Sequence, residues 1–569
     1  MKNIILILLF LTAACSAEKN FVSEYSNPID VLVADPYVYH ENDTYYLYGT
    51  SAPDGFRVYT SKDLVNWRYQ GYALKTSKAT WPVSAFWAPE VYKKGFEYFM
   101  FYCARGLNKK SSGYTMRICV AKSKSPLGPF KDIKSPAFIL DKAVIDPTVF
   151  VDDDDTAYLF YTLDCSENKI SEIWMGKLTD DWLGFDGKPV KCFGPSQIWE
   201  GETWNEAPFV IKHDKYYYAM YSANYFASPN YSIGYAVSTN IFGPWEKYKN
   251  NPILKLTDKV WGPGHHCVTK SPNGKEFFVV YHTQQRPGSG ARQVAIDRLV
   301  FEKGTNREAG ASRDVARPSS SAIQADSLVS EFNDYPDIMK VVGPTVAPQK
   351  YPSGAKSFPQ AASDEFNSSE LDRSQWLIFN ENPRMFKIKN GELIVTTTDG
   401  DIHRERSDIR NLFLQYAPKG DFEIETKVNF NPEKNYEQVM LVVWQDHNNY
   451  LRLSYVFADE LKFEAACEIN GEFKSENVPL SKLSLNKMKH PGFISGEVKG
   501  DLVLLKIKKK KNHYDFFYSF NGEKWRKVGK GYNVDFNDLK VGINATAPVS
   551  RRNIHAEFDY FRMLSAYLF

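Results

Sequence analysis

Short runs of aromatic and β-branched residues recur along the first half of the chain, and this repeat restricts the fold more than any other feature. Each run has the length and composition of a buried strand, and the runs follow one another at intervals of roughly 50 to 60 residues, the spacing of propeller blades or solenoid units. Segments such as Gly128-Pro129-Phe130 and Gly243-Pro244-Trp245 fit turns in the outer half of a blade. We therefore predict an all-β fold that begins with a five-bladed β-propeller over residues 24–304. The five runs are Tyr45–Tyr48, Tyr98–Tyr102, Tyr158–Tyr161, Tyr216–Tyr221 and Phe277–Tyr281.

The second half of the chain has a different pattern. Residues 305–360 lose the repeat and are rich in Ala, Ser, Arg and Pro, which predicts a linker that packs in part along the domains. After it, apolar residues alternate with polar ones from Phe422 to Phe430. This pattern predicts a β-sandwich over residues 361–569.

The first 15 residues have the order of an export signal. Met1-Lys2-Asn3 precedes an apolar run from Ile4 to Leu11, and small residues lead into Cys15. The segment resembles a bacterial lipoprotein signal, in which Cys15 becomes the lipidated first residue of the mature chain. We expect the protein to be exported to the periplasm or cell surface, with a lipid anchor in the outer membrane as its only membrane attachment.

Charge and composition restrict the partners. The formal net charge is +2, which gives no field for nucleic acid, so we expect no nucleic-acid partner and an uncharged ligand. Aromatic residues make up 15% of the chain, and their faces suit sugar stacking as well as core packing. The six cysteines other than Cys15 have no CxxC or zinc-like spacing, and we predict no metal cluster from them.

Three acidic residues that precede or nearly precede a proline are the candidates for chemistry. They lie in Ala34-Asp35-Pro36, Ile145-Asp146-Pro147 and Glu206-Ala207-Pro208, each at the start of a different blade. A lone Asp-Pro pair is more often a turn. The inner strands of a propeller converge on its axis, however, so carboxyls on separate blades can meet in one pocket. Glycoside hydrolysis needs such a set, with an acid for the leaving oxygen and a base for water.

These motifs, together with Tyr45-Tyr46-Leu47-Tyr48-Gly49-Thr50 and Trp87-Ala88-Pro89-Glu90-Val91, resemble glycoside hydrolase family 43. The resemblance covers the whole propeller region. It implies that Asp35 is the general base, Glu206 the general acid, and Asp146 the carboxylate that orients the acid and raises its pKa. It also implies inversion of the anomeric configuration. The C-terminal region resembles the concanavalin-like sandwich of family members that release single pentoses, where a sandwich loop closes one side of the site; a separate carbohydrate-binding role is the alternative.

Two further site residues follow from the same resemblance. His265, in Gly262-Pro263-Gly264-His265-His266, resembles the histidine at the propeller axis that faces a calcium ion or a water cluster. Since calcium prefers oxygen ligands, we expect any calcium ion there to be held through water, and we expect no other cofactor to be required. Arg292 matches an arginine that could hold Asp146 or a sugar hydroxyl, although a surface ion pair would also explain it.

Four aromatic residues flank the motifs, and we predict that they form the walls of a sugar subsite. Core packing would explain them nearly as well. They are Phe86, Trp87, Trp204 and Tyr225.

The predicted function is that of an inverting exo-glycosidase acting on plant polysaccharides or their fragments. α-L-Arabinofuranosyl units are the first choice of substrate, followed by β-D-xylosyl units. Galactans or galactofuranosides are alternative substrates, and a non-catalytic glycan-binding surface lipoprotein is an alternative from another class. Retaining fructan hydrolases share the propeller, but their Trp-Met-Asn-Asp-Pro motif is absent around Asp35.

Overall fold

The computed structural model describes residues 21–76, 81–107, 114–138, 142–304, 336–356, 358–404, 406, 408–480 and 501–565. The predicted lipoprotein signal, residues 1–15, and residues 305–335 of the predicted linker lie outside these ranges. Within them the fold is built from strands, with two 3-10 helices of three residues each at Ile198–Glu200 and Pro383–Met385. No helix in the described ranges is long and apolar enough to cross a lipid bilayer.

Five four-stranded antiparallel sheets follow one another as the blades of the propeller, as predicted. Each aromatic run forms the second strand of its blade, where both faces of the strand are covered by neighbouring blades. After the short strands β1 (Phe21–Val22) and β2 (Glu24–Tyr25), the blade strands are β3 (Ala34–Glu41), β4 (Thr44–Thr50), β5 (Gly55–Ser61) and β6 (Arg68–Lys75) in blade 1; β7 (Pro82–Lys94), β8 (Glu97–Leu107), β9 (Tyr114–Ser123) and β10 (Lys131–Lys134) in blade 2; β11 (Val144–Val151), β12 (Ala157–Leu163), β13 (Glu172–Lys177) and β14 (Val190–Phe193) in blade 3; β15 (Asn205–His213), β16 (Tyr216–Ala223), β17 (Ser232–Ser238) and β18 (Glu246–Lys247) in blade 4; and β19 (Trp261–Lys270), β20 (Phe277–Gln284), β21 (Arg292–Glu302) and β22 (Ile338–Val342) in blade 5.

The predicted linker contributes to the propeller, which corrects the boundary at residue 304. Strand β22 lies within residues 305–360 and pairs with β21 as the fourth strand of blade 5. Its residue Met339 is buried in the core between blades 4 and 5, and Val341 packs against the same core, so apolar burial holds the strand there. Further along, β23 (Gln349–Lys350) pairs with β2 and β24 (Phe358–Pro359) pairs with β1.

Each inner strand of the propeller breaks its hydrogen-bond ladder close to its start. At the break, a non-glycine residue of each strand has a left-handed backbone with φ between 45° and 52°, and the pairing with the second strand shifts register at the same place. Such bulges re-aim side chains and are costly for residues other than glycine. These residues are Asp35, Ala88, Asp146, Ala207 and His265, and β7 contains a second one, Ala85.

The C-terminal domain is the predicted β-sandwich. Its main core lies between a seven-stranded and an eight-stranded sheet, and a second apolar cluster around Trp444 lies on the outer face of the seven-stranded sheet, where Leu32 of the propeller packs against it. The seven-stranded sheet contains β25 (Leu377–Phe379), β28 (Leu412–Tyr416), β30 (Gln438–Asp446), β31 (Asn449–Ala458), β32 (Glu460–Ile469), β33 (Glu472–Pro479) and β38 (Lys540–Thr546); the other contains β26 (Phe386–Lys389), β27 (Glu392–Thr396), β29 (Phe422–Phe430), β34 (Asp501–Lys510), β35 (His513–Ser519), β36 (Arg526–Lys527), β37 (Tyr532–Asn533) and β39 (His555–Ser565).

Candidate active site

Asp35 lies at the bulge of β3 and is surrounded by hydrogen-bond donors and positive charge. Its Oδ1 atom is 3.0 Å from Nη1 of Arg292 and 3.4 Å from Nδ1 of His265. Thr50 donates its hydroxyl hydrogen bond to Oδ2. Burial alone would raise the pKa of this carboxyl, but the charge of Arg292 and the Thr50 hydrogen bond hold the pKa well below its usual range. Asp35 is therefore ionised at neutral pH.

His282 supports the backbone of the same residue. The N–H group of Asp35 donates to Nδ1 of His282 over 3.1 Å, so this ring nitrogen acts as an acceptor. Burial and the nearby charge of Arg292 lower the pKa of His282 well below its ordinary value. The neutral imidazole then fixes the peptide at the bulge while adding no charge of its own.

Glu206 and Asp146 form a second, contrasting pair in the same pocket. The N–H group of Ala207, the residue after Glu206, donates to Oδ2 of Asp146 over 3.0 Å. Burial is the main cause that raises the pKa of Glu206 to about 7, with repulsion from Asp35 and Asp164 adding to it and a hydrogen bond from Tyr231 opposing it. Burial, followed by repulsion from Glu206 and Asp35, also raises the pKa of Asp146. The pocket thus keeps a proton on this pair near neutral pH while Asp35 is ionised.

Tyr231 reaches the acid because blade 5 leaves room for its ring. Its hydroxyl donates to Oε1 of Glu206 over 2.8 Å. A Cβ atom on Gly264 would lie 2.2 Å from the Tyr231 ring, so only glycine fits at that position. This explains one glycine of the Gly262-Pro263-Gly264 motif in physical terms.

Three of the four predicted aromatic residues are partly exposed: Trp87 in β7 of blade 2, Trp204 directly before β15, and Tyr225 shortly after β16. Trp87 is 36% exposed and Tyr225 is 47% exposed. Trp204 lies two residues before Glu206 along the chain, and the centroid of its ring is 5.5 Å from that of Tyr225. These side chains are placed to contact a ligand, and their contact with sugar stays a prediction.

The prediction that Phe86 forms part of a sugar subsite is corrected, because the structure places its side chain in the core. It is 2% exposed and lies between Phe56 and Tyr102, with ring centroids 6.1 Å and 6.4 Å away. The bulge of β7 turns the neighbouring Trp87 outward and leaves Phe86 between blades 1 and 2. Packing therefore accounts for Phe86 without a role in sugar binding.

Arg292 does not hold Asp146, which was one of its two predicted partners. Its guanidinium pairs with Asp35, not with Asp146, and lies over the ring of Phe226 at 4.9 Å. Among the described residues, its buried Nε atom has no hydrogen-bond partner. That donor is available to a hydroxyl group of a ligand.

The histidines near Asp35 do not fit direct calcium ligation. They offer nitrogen donors, whereas calcium takes oxygen ligands. Both ring nitrogens of His266 and Nε2 of His282 are buried without a hydrogen-bond partner in the described structure, which suits ordered water. Calcium held through such water near His265 stays a prediction.

Sequence reasoning gave no role to three residues that contact the acids. Thr50 is the last residue of the motif that begins at Tyr45, and nothing in the sequence around it indicates a chemical role. His282 is a polar residue at the end of the apolar run Phe277–Tyr281, and that interruption could have indicated it. Tyr231 lies in a turn without a motif, and only the fold brings it to Glu206.

Comparison with known proteins agrees with this geometry. Residues 25–306 match the model of glycosyl hydrolases family 43, and residues 363–564 match the beta xylosidase C-terminal concanavalin A-like domain. A xylan 1,3-beta-xylosidase of Vibrio sp. is 22% identical over 93% of this chain and 97% of its own length. An extracellular exo-alpha-(1->5)-L-arabinofuranosidase of Streptomyces avermitilis is 25% identical over 45% of this chain and 56% of its own length. The crystal structure of a thermostable family-43 glycoside hydrolase is 43% identical, covers 58% of this chain and 100% of that chain, and has a TM-score of 0.50.

The raised pKa of Asp146 predicts a stability effect with a defined sign. Because the folded protein binds this proton more tightly than the unfolded chain does, the free energy of unfolding falls as pH rises above about 3.9, the ordinary carboxyl value. Asp146→Asn removes this pH-dependent fall in the free energy of unfolding, and asparagine tolerates the left-handed backbone. We expect its melting temperature to exceed that of the wild type by more at pH 8 than at pH 5, by about 2–4 °C for each kcal/mol recovered.

Thermal unfolding at the two pH values measures this difference. Asp155→Asn is the control, since Asp155 is an exposed residue of a turn that also has a left-handed backbone. An equal gain at both pH values, or a less stable Asp146→Asn protein at pH 8, would contradict the account.

Proposed function

Because the chain belongs to glycosyl hydrolases family 43 and is an inverting glycoside hydrolase, we propose that Asp35, Asp146 and Glu206 carry out its reaction. The observation that supports these roles is the contrast inside one pocket. Asp35 is held ionised by Arg292, whereas burial raises the pKa of Glu206 to about 7. A base and an acid that act together near neutral pH need this difference.

In the proposed mechanism Asp35 is the general base. Its carboxylate accepts a proton from a water molecule as the water oxygen bonds to the anomeric carbon, on the face opposite the leaving group. Glu206 gives its proton to the glycosidic oxygen as the bond from that oxygen to the anomeric carbon breaks. The products are the sugar of inverted configuration and the free alcohol, with Asp35 protonated and Glu206 ionised until solvent restores both.

The neighbouring groups hold the two carboxyls in place for these steps. Asp146 accepts the Ala207 N–H bond and thereby fixes the peptide that follows the acid. Tyr231 binds one oxygen of Glu206, which leaves the other oxygen for the leaving group. Arg292 and Thr50 bind different oxygens of Asp35 and so set the plane of its carboxylate.

For the substrate we propose a terminal pentosyl unit of a plant polysaccharide or oligosaccharide. The relative named as a xylan 1,3-beta-xylosidase matches 93% of this chain, and this supports β-D-xylosyl units as our first choice. The relative named as an exo-arabinofuranosidase matches 45% of this chain, so α-L-arabinofuranosyl units come second. Removal of single end units is supported by the sandwich, because its residue Asn448 contacts the loop 285–291 that leads directly to Arg292.

We also propose that the chain is exported and lipid-anchored through Cys15. The basic, apolar and small-residue order of residues 1–15 supports this. In cells fed a labelled fatty acid, the wild type is expected to carry the label in the membrane fraction. Cys15→Ala is expected to lose it; a Cys15→Ala protein that keeps the label would contradict the anchor.

The catalytic assignment predicts that the two carboxyl variants depend differently on the leaving group. Glu206→Gln is expected to lose about 10²–10⁴-fold in kcat on xylobiose or an arabino-oligosaccharide, because those leaving groups need protonation. It should lose far less on p-nitrophenyl glycosides, whose leaving group departs as an anion. Asp35→Asn is expected to lose activity on both kinds of substrate, since each requires an activated water.

Initial rates on p-nitrophenyl β-D-xyloside, α-L-arabinofuranoside, β-D-galactofuranoside and β-D-galactoside also identify the sugar. Glu202→Gln is the matched control, because Glu202 is an exposed carboxyl four residues before Glu206. The assignment fails if Asp35→Asn keeps wild-type rates or if Glu206→Gln loses equally on both kinds of substrate. Turnover of a galactoside alone would replace the pentosyl substrate.

A further inference from the structure

A buried ion pair joins the sandwich to the segment that leads into the active site. Nζ of Lys540, at the start of β38, is 2.9 Å from Oδ2 of Asp30, with side-chain exposures of 8% and 18%. The indole N–H group of Trp444 donates to the other oxygen of Asp30 over 3.4 Å. Asp30 lies five residues before Asp35. The sandwich therefore contacts the chain directly upstream of the proposed base.

The segment around Asp30 is also hydrogen-bonded to the strand that carries Arg292. The N–H group of Ile29 donates to the carbonyl of Val294 over 2.9 Å, and the N–H group of Val294 donates to the carbonyl of Val31 over 3.0 Å. The side-chain amide of Gln293 donates to the carbonyl of Ile29 over 2.9 Å. A shift of residues 29–31 would thus move the start of β21, where Arg292 contacts Asp35.

A second contact from the sandwich reaches the other side of Arg292. Nε of Arg286 donates to Oδ1 of Asn448 over 3.3 Å, and the side chain of Asn448 donates to the carbonyl of Gln285 over 2.9 Å. Nη2 of Arg286 is 3.7 Å from the buried carboxyl of Glu468. Residues 285 and 291 are bonded to each other across this loop. Both chain segments that lead into β3 and β21 are consequently held by the sandwich.

We propose that the sandwich positions the catalytic base, and that Lys540 is a positioning residue that acts through Asp30 and Arg292 on Asp35. The inference rests on the proposed function, because it takes Asp35 to be the base. Lys540 touches neither the pocket residues nor the reacting atoms. Its role is to keep the Arg292 guanidinium on the carboxylate while Asp35 receives a proton.

The chemistry of the contact favours positioning over simple adhesion. Lys540 also lies 4.0 Å from Asp538 and over the ring of Tyr416, so its charge is enclosed on several sides. The desolvation of a buried ion pair offsets most of its attraction, so the pair contributes little net stability. It is favourable only in one arrangement of its partners, however. An apolar patch such as that around Leu32 would permit sliding, which the Asp30 pair prevents.

The test measures kcat and KM of Lys540→Met on the best p-nitrophenyl glycoside, well below the melting temperature. We expect kcat to fall about tenfold with KM within about twofold of the wild type, because misplacement of a catalytic group by a fraction of an ångström acts on the chemical step. Arg552→Met is the control for a damaged sandwich: Arg552 pairs with the buried Glu437 at 3.2 Å, within that domain. It should lose stability and keep kcat.

A double-mutant cycle tests the route through Arg292. In an Arg292→Lys background, Lys540→Met should change kcat by less than about twofold, since the contact that it acts through is already altered. If Lys540→Met does not fold, Asp30→Asn takes its place, with a smaller fall in kcat and the same loss of effect in the Arg292→Lys background.

The inference is overturned if the folded Lys540 or Asp30 variant has wild-type kcat, or if its full effect persists in the Arg292→Lys background. The proposed function fails separately, through an active Asp35→Asn protein. An inactive Asp35→Asn protein combined with a normal Lys540→Met protein would reject the positioning role alone.

Discussion

The left-handed residue at the start of each inner strand is the constraint on which the pocket depends. In a regular strand, side chains alternate between the two faces and would pack between blades. The bulge interrupts this alternation at Asp35 and Asp146, and in blade 4 it falls on Ala207, one residue after Glu206. The acid is therefore offset by one position from the other two carboxyls, and the Ala207 peptide that bonds to Asp146 is part of the same bulge. The strain of these left-handed residues is held by the surrounding packed blades.

Burial then separates the behaviour of carboxyls that share this scaffold. Asp35 and Glu206 are both enclosed, but Arg292 pairs directly with Asp35 and the Thr50 hydroxyl donates to it. Burial, together with repulsion from other carboxyls, favours the neutral form of Glu206 and outweighs the hydrogen bond from Tyr231. The difference depends on where β21 places one guanidinium. For this reason the contacts of Asp30 with Lys540 and of Arg286 with Asn448 matter to a reaction that takes place in the other domain.

Much of this architecture could be predicted from sequence, because local patterns carry it. The aromatic runs repeat with the blades, and three acids that precede or nearly precede a proline lie at or next to the bulges of three blades. Strand β22 was missed because it follows a stretch of Ala, Ser, Arg and Pro without strand periodicity, and only the open edge of β21 shows that a partner is needed. Phe86 and Trp87 are adjacent in sequence, and a bulge, which no local pattern announces, decides which of them is buried. The partners of Arg292 and Tyr231 come from distant blades, so their contacts follow from tertiary geometry alone.

The configuration of the first sugar released tests the central claim most directly. Proton NMR spectra recorded within the first minutes of hydrolysis, before mutarotation equilibrates the anomers, identify that sugar. With Asp35 as base and Glu206 as acid, a β-xyloside should release α-xylose first, or an α-arabinofuranoside the β-anomer, because water enters opposite the leaving group. Release of the retained anomer would mean that a side chain forms a covalent intermediate, and it would contradict the roles assigned to both residues.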